Sequence, residues 1–177
     1  LKHATHAVAG KWLTPMLITV MNAKDQEMEN HRFVFPADVN TLGTLFGGKM
    51  LSWFDEEAAL FAYECLDDQP AQRLTGVAIY SFNFLKPTYV NSRIRSQWKI
   101  VHVGKTSLTV KGTYEAQQLG VEDSEWDIVA EGYSCLCAID EEGVPTYCVL
   151  KPDINFKEIK SNKEWGIIEN FKALTRL

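Results

Sequence analysis

Asp38-Val-Asn-Thr-Leu-Gly-Thr-Leu-Phe-Gly-Gly-Lys-Met-Leu-Ser-Trp-Phe-Asp55-Glu56-Glu57-Ala-Ala-Leu60 is the stretch on which the fold turns. It opens with the turn-formers Asp38, Asn40 and Gly43, passes Gly47 and Gly48, and becomes a long apolar segment with acids inside it. A helix entered through glycines is expected. At about 100° per residue, Gly48, Ser52, Asp55, Ala59 and Ala62 share one side, and Met50, Trp53, Phe54, Leu60 and Phe61 lie around the other. A helix apolar nearly all round belongs in a core, so Asp55 would sit on a small-residue stripe that a backbone or ligand can approach closely.

Working outward, residues 31–35 alternate like a short strand that Pro36 ends, and the helix should run to about Leu66, stopped by Asp67-Asp68-Gln69-Pro70. Four strand-like runs follow at 74–85, 92–103, 107–118 and 127–139, joined by turn chemistry at Lys86-Pro87, Asn91-Ser92, Gly104-Lys105 and 120–124. The joints are too short for crossover helices, so the strands pair antiparallel. The pattern is α+β, with an antiparallel sheet wrapped around a long central helix. Residues 1–29 lack a clear period and are read as an N-terminal arm, 30–150 as the domain, and 151–177 as a partly amphipathic, helical C-terminal extension.

The 177-residue chain suits one domain, with 46% hydrophobic and 23% charged residues. Its net charge of −5 argues against a nucleic-acid binder. Residues 71–114 nevertheless hold no acid, while Arg73, Lys86, Arg93, Arg95, Lys99, Lys105 and Lys111 all lie there. Such a block suits an anionic ligand, and chance clustering on a solvated sheet face explains it equally well. The apolar run at 12–21 is too short to span a bilayer, and Pro15 and the missing small-residue cleavage site speak against a signal peptide. Cys65, Cys135, Cys137 and Cys148 lack zinc-site spacing and read as reduced thiols of a cytoplasmic protein. His3, His6, His31 and His102 show no ligand spacing, so no metal is expected. No serine occupies a nucleophile elbow.

Asn40 to Gly48, followed by Leu51-Ser-Trp53-Phe-Asp55-Glu56, resembles the signature of the hotdog-fold acyl-CoA thioesterases, in the acyl-CoA hydrolase family. Phe84-Leu85-Lys86-Pro87, Val103 to Ser107, and Ala138-Ile-Asp140 with Gly143 and Pro145 recur in the right order, so the resemblance covers about residues 31–145. It implies a hotdog fold and hydrolysis of fatty acyl-CoA to free acid and coenzyme A, without a cofactor beyond the coenzyme A of the substrate. It also implies a homodimer, assembled further as a hexameric trimer of dimers. Asp55 would be the catalytic carboxylate, as base or nucleophile, with Asn40 reaching it from the partner subunit.

The chemistry is coherent with those residue types. Thioester hydrolysis needs a carboxylate to activate water or attack, and donors for the carbonyl oxygen. Asp55 lies seven residues after Gly48, two turns along the same face as the helix entrance, where backbone N–H groups at Phe46, Gly47 and Gly48 are open to a ligand. Lys86 and the turn Gly104-Lys105-Thr106-Ser107 are candidates for the phosphates or pantetheine arm of coenzyme A, although 104–107 could equally be an ordinary hairpin turn. A helix Asp is more often a solvated surface residue, and Asn40 more often a turn residue. Physics alone does not separate Asp55 from Glu56 and Glu57; the resemblance selects Asp55. A non-catalytic acyl-CoA binding or sensing module is the alternative.

Overall fold

The structure is a computed structural model, and it describes residues 18–22, 27–67, 73–122, 124–161 and 163–174. Strands β1 (Ile18–Asn22), β2 (Glu27–Phe33), β3 (Arg73–Phe84), β4 (Ser92–Val103), β5 (Ser107–Gln118) and β6 (Asp127–Ile139) form one six-stranded sheet in the order β1-β2-β4-β5-β6-β3. Every neighbouring pair is antiparallel. The sheet wraps α1 (Gly47–Cys65), as the hotdog resemblance implies. Two short helices, α2 (Phe156–Ser161) and α3 (Lys163–Leu174), follow the sheet.

Strands β4, β5 and β6 keep the bounds expected from the sequence, because their alternation and turn residues agree. Asn91 adopts φ +64° ahead of β4, a left-handed conformation that Asn tolerates better than most residues. The N-terminal part differs from the expectation. β2 begins at Glu27, inside the stretch read as an arm, and Ile18–Asn22 pairs with it as an edge strand. The inward side of β2 carries Met28, Asn30 and Arg32, all buried, so two of its three core-facing residues are polar and no hydrophobic alternation marks its first half, ahead of the short strand expected at 31–35.

The core lies between the inner sheet face and one side of α1. Phe54 of the helix packs on Phe82 at 4.8 Å and Trp98 at 5.1 Å between ring centroids, with Tyr114 beside them. Met50, Trp53, Phe54, Ala58, Phe61 and Ala62 are buried, but Leu51, Ser52, Asp55, Leu60 and Tyr63 are not. Full burial of the helix, the expectation from its composition, is therefore not reached within the single chain. The side that stays open is the first part of the small-residue stripe, Gly48, Ser52 and Asp55, with its flanks, while Ala59 is half-buried and Ala62 buried.

Candidate active site

Asp55 sits midway along α1, exposed, facing a cavity of about 390 Å³ lined also by Ala59, Gly76, Val77, Ala78, Ile79, Ser134 and Leu136. The cavity exists because β3 does not follow the helix smoothly. Its register with β6 slips twice, between Gly76 and Ala78 and between Ile79 and Ser81, and such bulges bend a strand. A Cβ on Gly76 would lie 3.8 Å from Asp55 Oδ1, so glycine leaves that flank of the carboxylate uncovered. Gly76 was not singled out from the sequence, though a lone glycine inside a strand pattern is the signal for a bulge or close approach.

The helix entrance has its own geometry. Phe46 caps α1 without a side-chain hydrogen bond, and Lys49 N and Met50 N both donate to Phe46 O. The Gly47 and Gly48 N–H groups thus lie in the open first turn. A Cβ on Gly48 would come within 2.7 Å of the Phe46 ring, and one on Gly47 within 3.2 Å of the Phe84 ring. The immediate reason for both glycines is room for these two exposed aromatics, ahead of any ligand. A second cavity of about 340 Å³ opens here, lined by Gly47, Phe84, Leu85, Lys86, Pro87 and Thr88 among others.

Asn40 folds back into its own loop: Nδ2 donates to Thr44 Oγ1 at 2.9 Å, and Oδ1 accepts from Leu42 N at 2.8 Å. Lys86 is paired with Asp127. The turn 104–107 closes β4 onto β5, with Gly104 N donating to Ser107 O at 2.7 Å and Lys105 Nζ lying 5.2 Å from the Tyr147 ring centre. Lys105 O accepts from Cys148 N, while Lys151 N reaches Cys65 O, which puts this turn at the C-terminal end of α1. Nineteen helical residues, about 28 Å at ~1.5 Å each, separate it from Gly47 and Gly48. The single chain does not bring the two groups together. Nor is the acid-free block a single basic patch, since Arg95 pairs with Glu115, and Lys99 and Lys111 with Glu164.

The three helix acids are separated by their surroundings. Glu57 is fully buried, accepting from Arg32 Nε and Ser96 Oγ at 2.5 Å each and from Tyr114 OH at 2.9 Å. Glu56 Oε2 takes the other arm of Arg32 at 2.7 Å. Burial opposes the Arg32 charge, but Glu57 and Glu56 outweigh it and hold the guanidinium pKa above its ordinary value. Burial together with Glu57 pushes the Tyr114 phenol well up. Two of the acids are thus tied to one arginine, and Asp55 is left facing a cavity. Among the described residues no cluster of three or more His, Cys, Asp or Glu could hold a metal.

The family model described as the thioesterase superfamily matches residues 42–122, which include α1, β3, β4 and β5. Over those residues the chain is similar to the thioesterase superfamily. It is 28% identical over 130 residues to an uncharacterized acyl-CoA thioester hydrolase of Buchnera aphidicola, covering 71% of this chain and 93% of that one. A second uncharacterized acyl-CoA thioester hydrolase, from Haemophilus influenzae, is 28% identical over 109 residues, 61% of this chain and 68% of the relative. Among solved structures, an apo-hexameric acyl-CoA thioesterase superposes with a TM-score of 0.72 at 26% identity, covering 90% of this chain and 99% of the other. An acyl-CoA hydrolase of Staphylococcus aureus, solved with butyryl coenzyme A, gives 0.70 at 23% identity over 84% and 88% of the two chains, a likeness of fold. These thioesterases share the helix-in-sheet architecture that presents Asp55 here.

Proposed function

We propose that this protein hydrolyses fatty acyl-CoA to free acid and coenzyme A, with Asp55 as base or nucleophile and Asn40 supplied by the partner subunit of a homodimer. The observation that carries this reading is the exposed Asp55 carboxylate at a cavity between α1 and the bulged β3. In the reaction the oxygen of water, or of Asp55 itself, adds to the thioester carbonyl. With Asp55 as base, it takes a proton from the attacking water, the C–S bond breaks, and that proton passes to the departing thiolate. With Asp55 as nucleophile, C–S cleavage leaves an acyl anhydride on Asp55, which water then hydrolyses to the free acid, the water's proton going to the thiolate. The Gly47 and Gly48 N–H groups, near Phe46, are placed to bind the carbonyl oxygen as charge builds on it.

A dimer is favoured by the open edge. β3 leaves Val77, Ile79 and Phe84 exposed at 57%, 41% and 57%, beside the uncovered stripe of α1. An isologous pairing into one continuous sheet runs antiparallel, bringing the Arg73 end of one β3 to the Phe84 end of the other. The partner's 104–107 turn would then approach this subunit's helix entrance and Lys86, so two chains together would hold coenzyme A. Hexameric relatives support a trimer of such dimers. Neither metal nor cofactor is needed. No helix among the described residues is long and apolar enough to cross a membrane, and free cysteines suit a cytoplasmic setting.

The test is thiol release from a panel of acyl-CoAs by the native protein and Asp55→Ala. Turnover that vanishes in the variant supports the reading. Binding of coenzyme A esters without turnover on any chain length would replace it with a non-catalytic acyl-CoA module.

A further inference from the structure

Helix α3 lies across the outer face of the sheet and ends over β3. Glu164 bonds Lys99 of β4 at 2.7 Å and Lys111 of β5 at 3.2 Å, and accepts from Tyr133 OH of β6 at 3.2 Å. Trp165 packs on His102 with centroids 4.0 Å apart, Ile168 is fully buried, and Phe171 stacks on Tyr80 of β3 at 5.8 Å and 8° between planes. Residues 164, 165, 168 and 171 share one helical face, so α3 follows the sheet order from β4 to the edge in a single stroke.

Its last anchor falls on the second bulge. Ile79 faces Ser134 and Ser81 faces Tyr133, which leaves Tyr80 without a place in the ladder; Val77 is left over in the same way between Gly76 and Ala78. A residue outside the ladder is held by its side chain, and here the Phe171 ring stacks on the Tyr80 ring while the phenol bonds Cys135 of β6. On the other side of the same segment Gly76, Val77, Ala78 and Ile79 line the Asp55 cavity.

We infer that the C-terminal helix is a positioning element for the Asp55 site, with the Tyr80–Phe171 stack holding the bulged middle of β3 away from α1 so that the cavity stays open. The inference rests on the thioesterase reading of that site. Tyr80 and Phe171 touch no substrate; they act through Ala78 and Ile79. Without the stack, residues 76–81 lose their outer support and close over the carboxylate.

The experiment uses the full chain with Phe171→Ala, Tyr80→Ala, their double variant, Phe171→Tyr and Tyr80→Phe. It measures kcat and KM on butyryl- to palmitoyl-CoA, and amide hydrogen exchange. Phe171→Ala is expected to lower kcat about 10-fold or more, within the roughly 10²-fold that a ~1 Å misplacement costs. Exchange should rise at residues 76–81, with an unchanged oligomer and protected β4 and β5. Tyr80→Ala should match it, the double variant should be no worse than either, and the two ring-preserving variants should be near native. Native kcat with native exchange at 76–81 in Phe171→Ala overturns the inference while leaving Asp55 in place. Absence of turnover by the native protein instead removes the thioesterase reading and the positioning role with it.

Discussion

Arg32 of β2 donates to Glu57 of α1 at 2.5 Å with both side chains out of solvent, 4% and 0% exposed. This ion pair joins the sheet to the helix at the level of Asp55 and accounts for an acid among the bulky residues. Removing one partner strands the other. Glu57→Ala or Arg32→Ala is expected to lose about 3–5 kcal/mol in urea unfolding. Arg32→Met with Glu57→Leu should recover only part of it, because Tyr114 and Ser96 lose their acceptor.

Asp55 carries no such duty. Asp55→Asn should unfold within about 0.5 kcal/mol of native, as surface changes do, while kcat falls by at least about 10²-fold on the best acyl-CoA. Steady-state kinetics beside a melting curve would separate the two effects; an active Asp55→Asn would point the chemistry elsewhere.

At the helix entrance, Gly48→Ala sets a methyl against the Phe46 ring, which must swing away. Phe46 is exposed, so the melting temperature should move little while kcat/KM drops. A loss of stability without a loss of activity would show that the ring serves packing alone.

Burial pushes the Cys65 thiol up to about 12 and the Cys148 thiol up to about 11, each with minor contributions from neighbouring groups. Neither is a nucleophile near neutral pH. Cys65→Ser and Cys148→Ser should retain turnover, and both thiols should react slowly with iodoacetamide at pH 7 and faster as the pH rises.

Burial disfavours the charge of Glu164, yet hydrogen bonds from Lys99 and Lys111 more than compensate and lower its pKa. A carboxylate with a lowered folded-state pKa stabilises fully above the ordinary value, about 4.3. That contribution disappears as the pH falls through the lowered one. Thermal melts of native protein and Glu164→Gln should therefore differ at pH 7 and converge in acid.

Much of this was legible from residue order. The glycine-entered helix and three of the strands with their turns follow from patterns in which local preference and burial agree. Only the end of strand β2, from His31, was read as a strand, because the core-facing Asn30 and Arg32 break the alternation before it, and the role of Glu57 was hidden because its partner lies 25 residues earlier. The open stripe of α1 could not be told from a buried one, since the same small residues suit a neighbouring chain and a neighbouring strand. The bulges of β3 depend on pairing with β6, a relation between distant segments; Gly76 was their one local sign.

Among the described residues the two rims of the sheet are unequal: β1 runs for five residues and β3 for twelve. A ribbon with two long, matching rims could add copies without limit. In the proposed dimer each copy spends its long rim on the other, and the short rims that remain face outward on both flanks. Growth along the sheet would then end at two copies, so the hairpin that β1 makes with β2 is a terminator against fibre formation as much as a part of the fold.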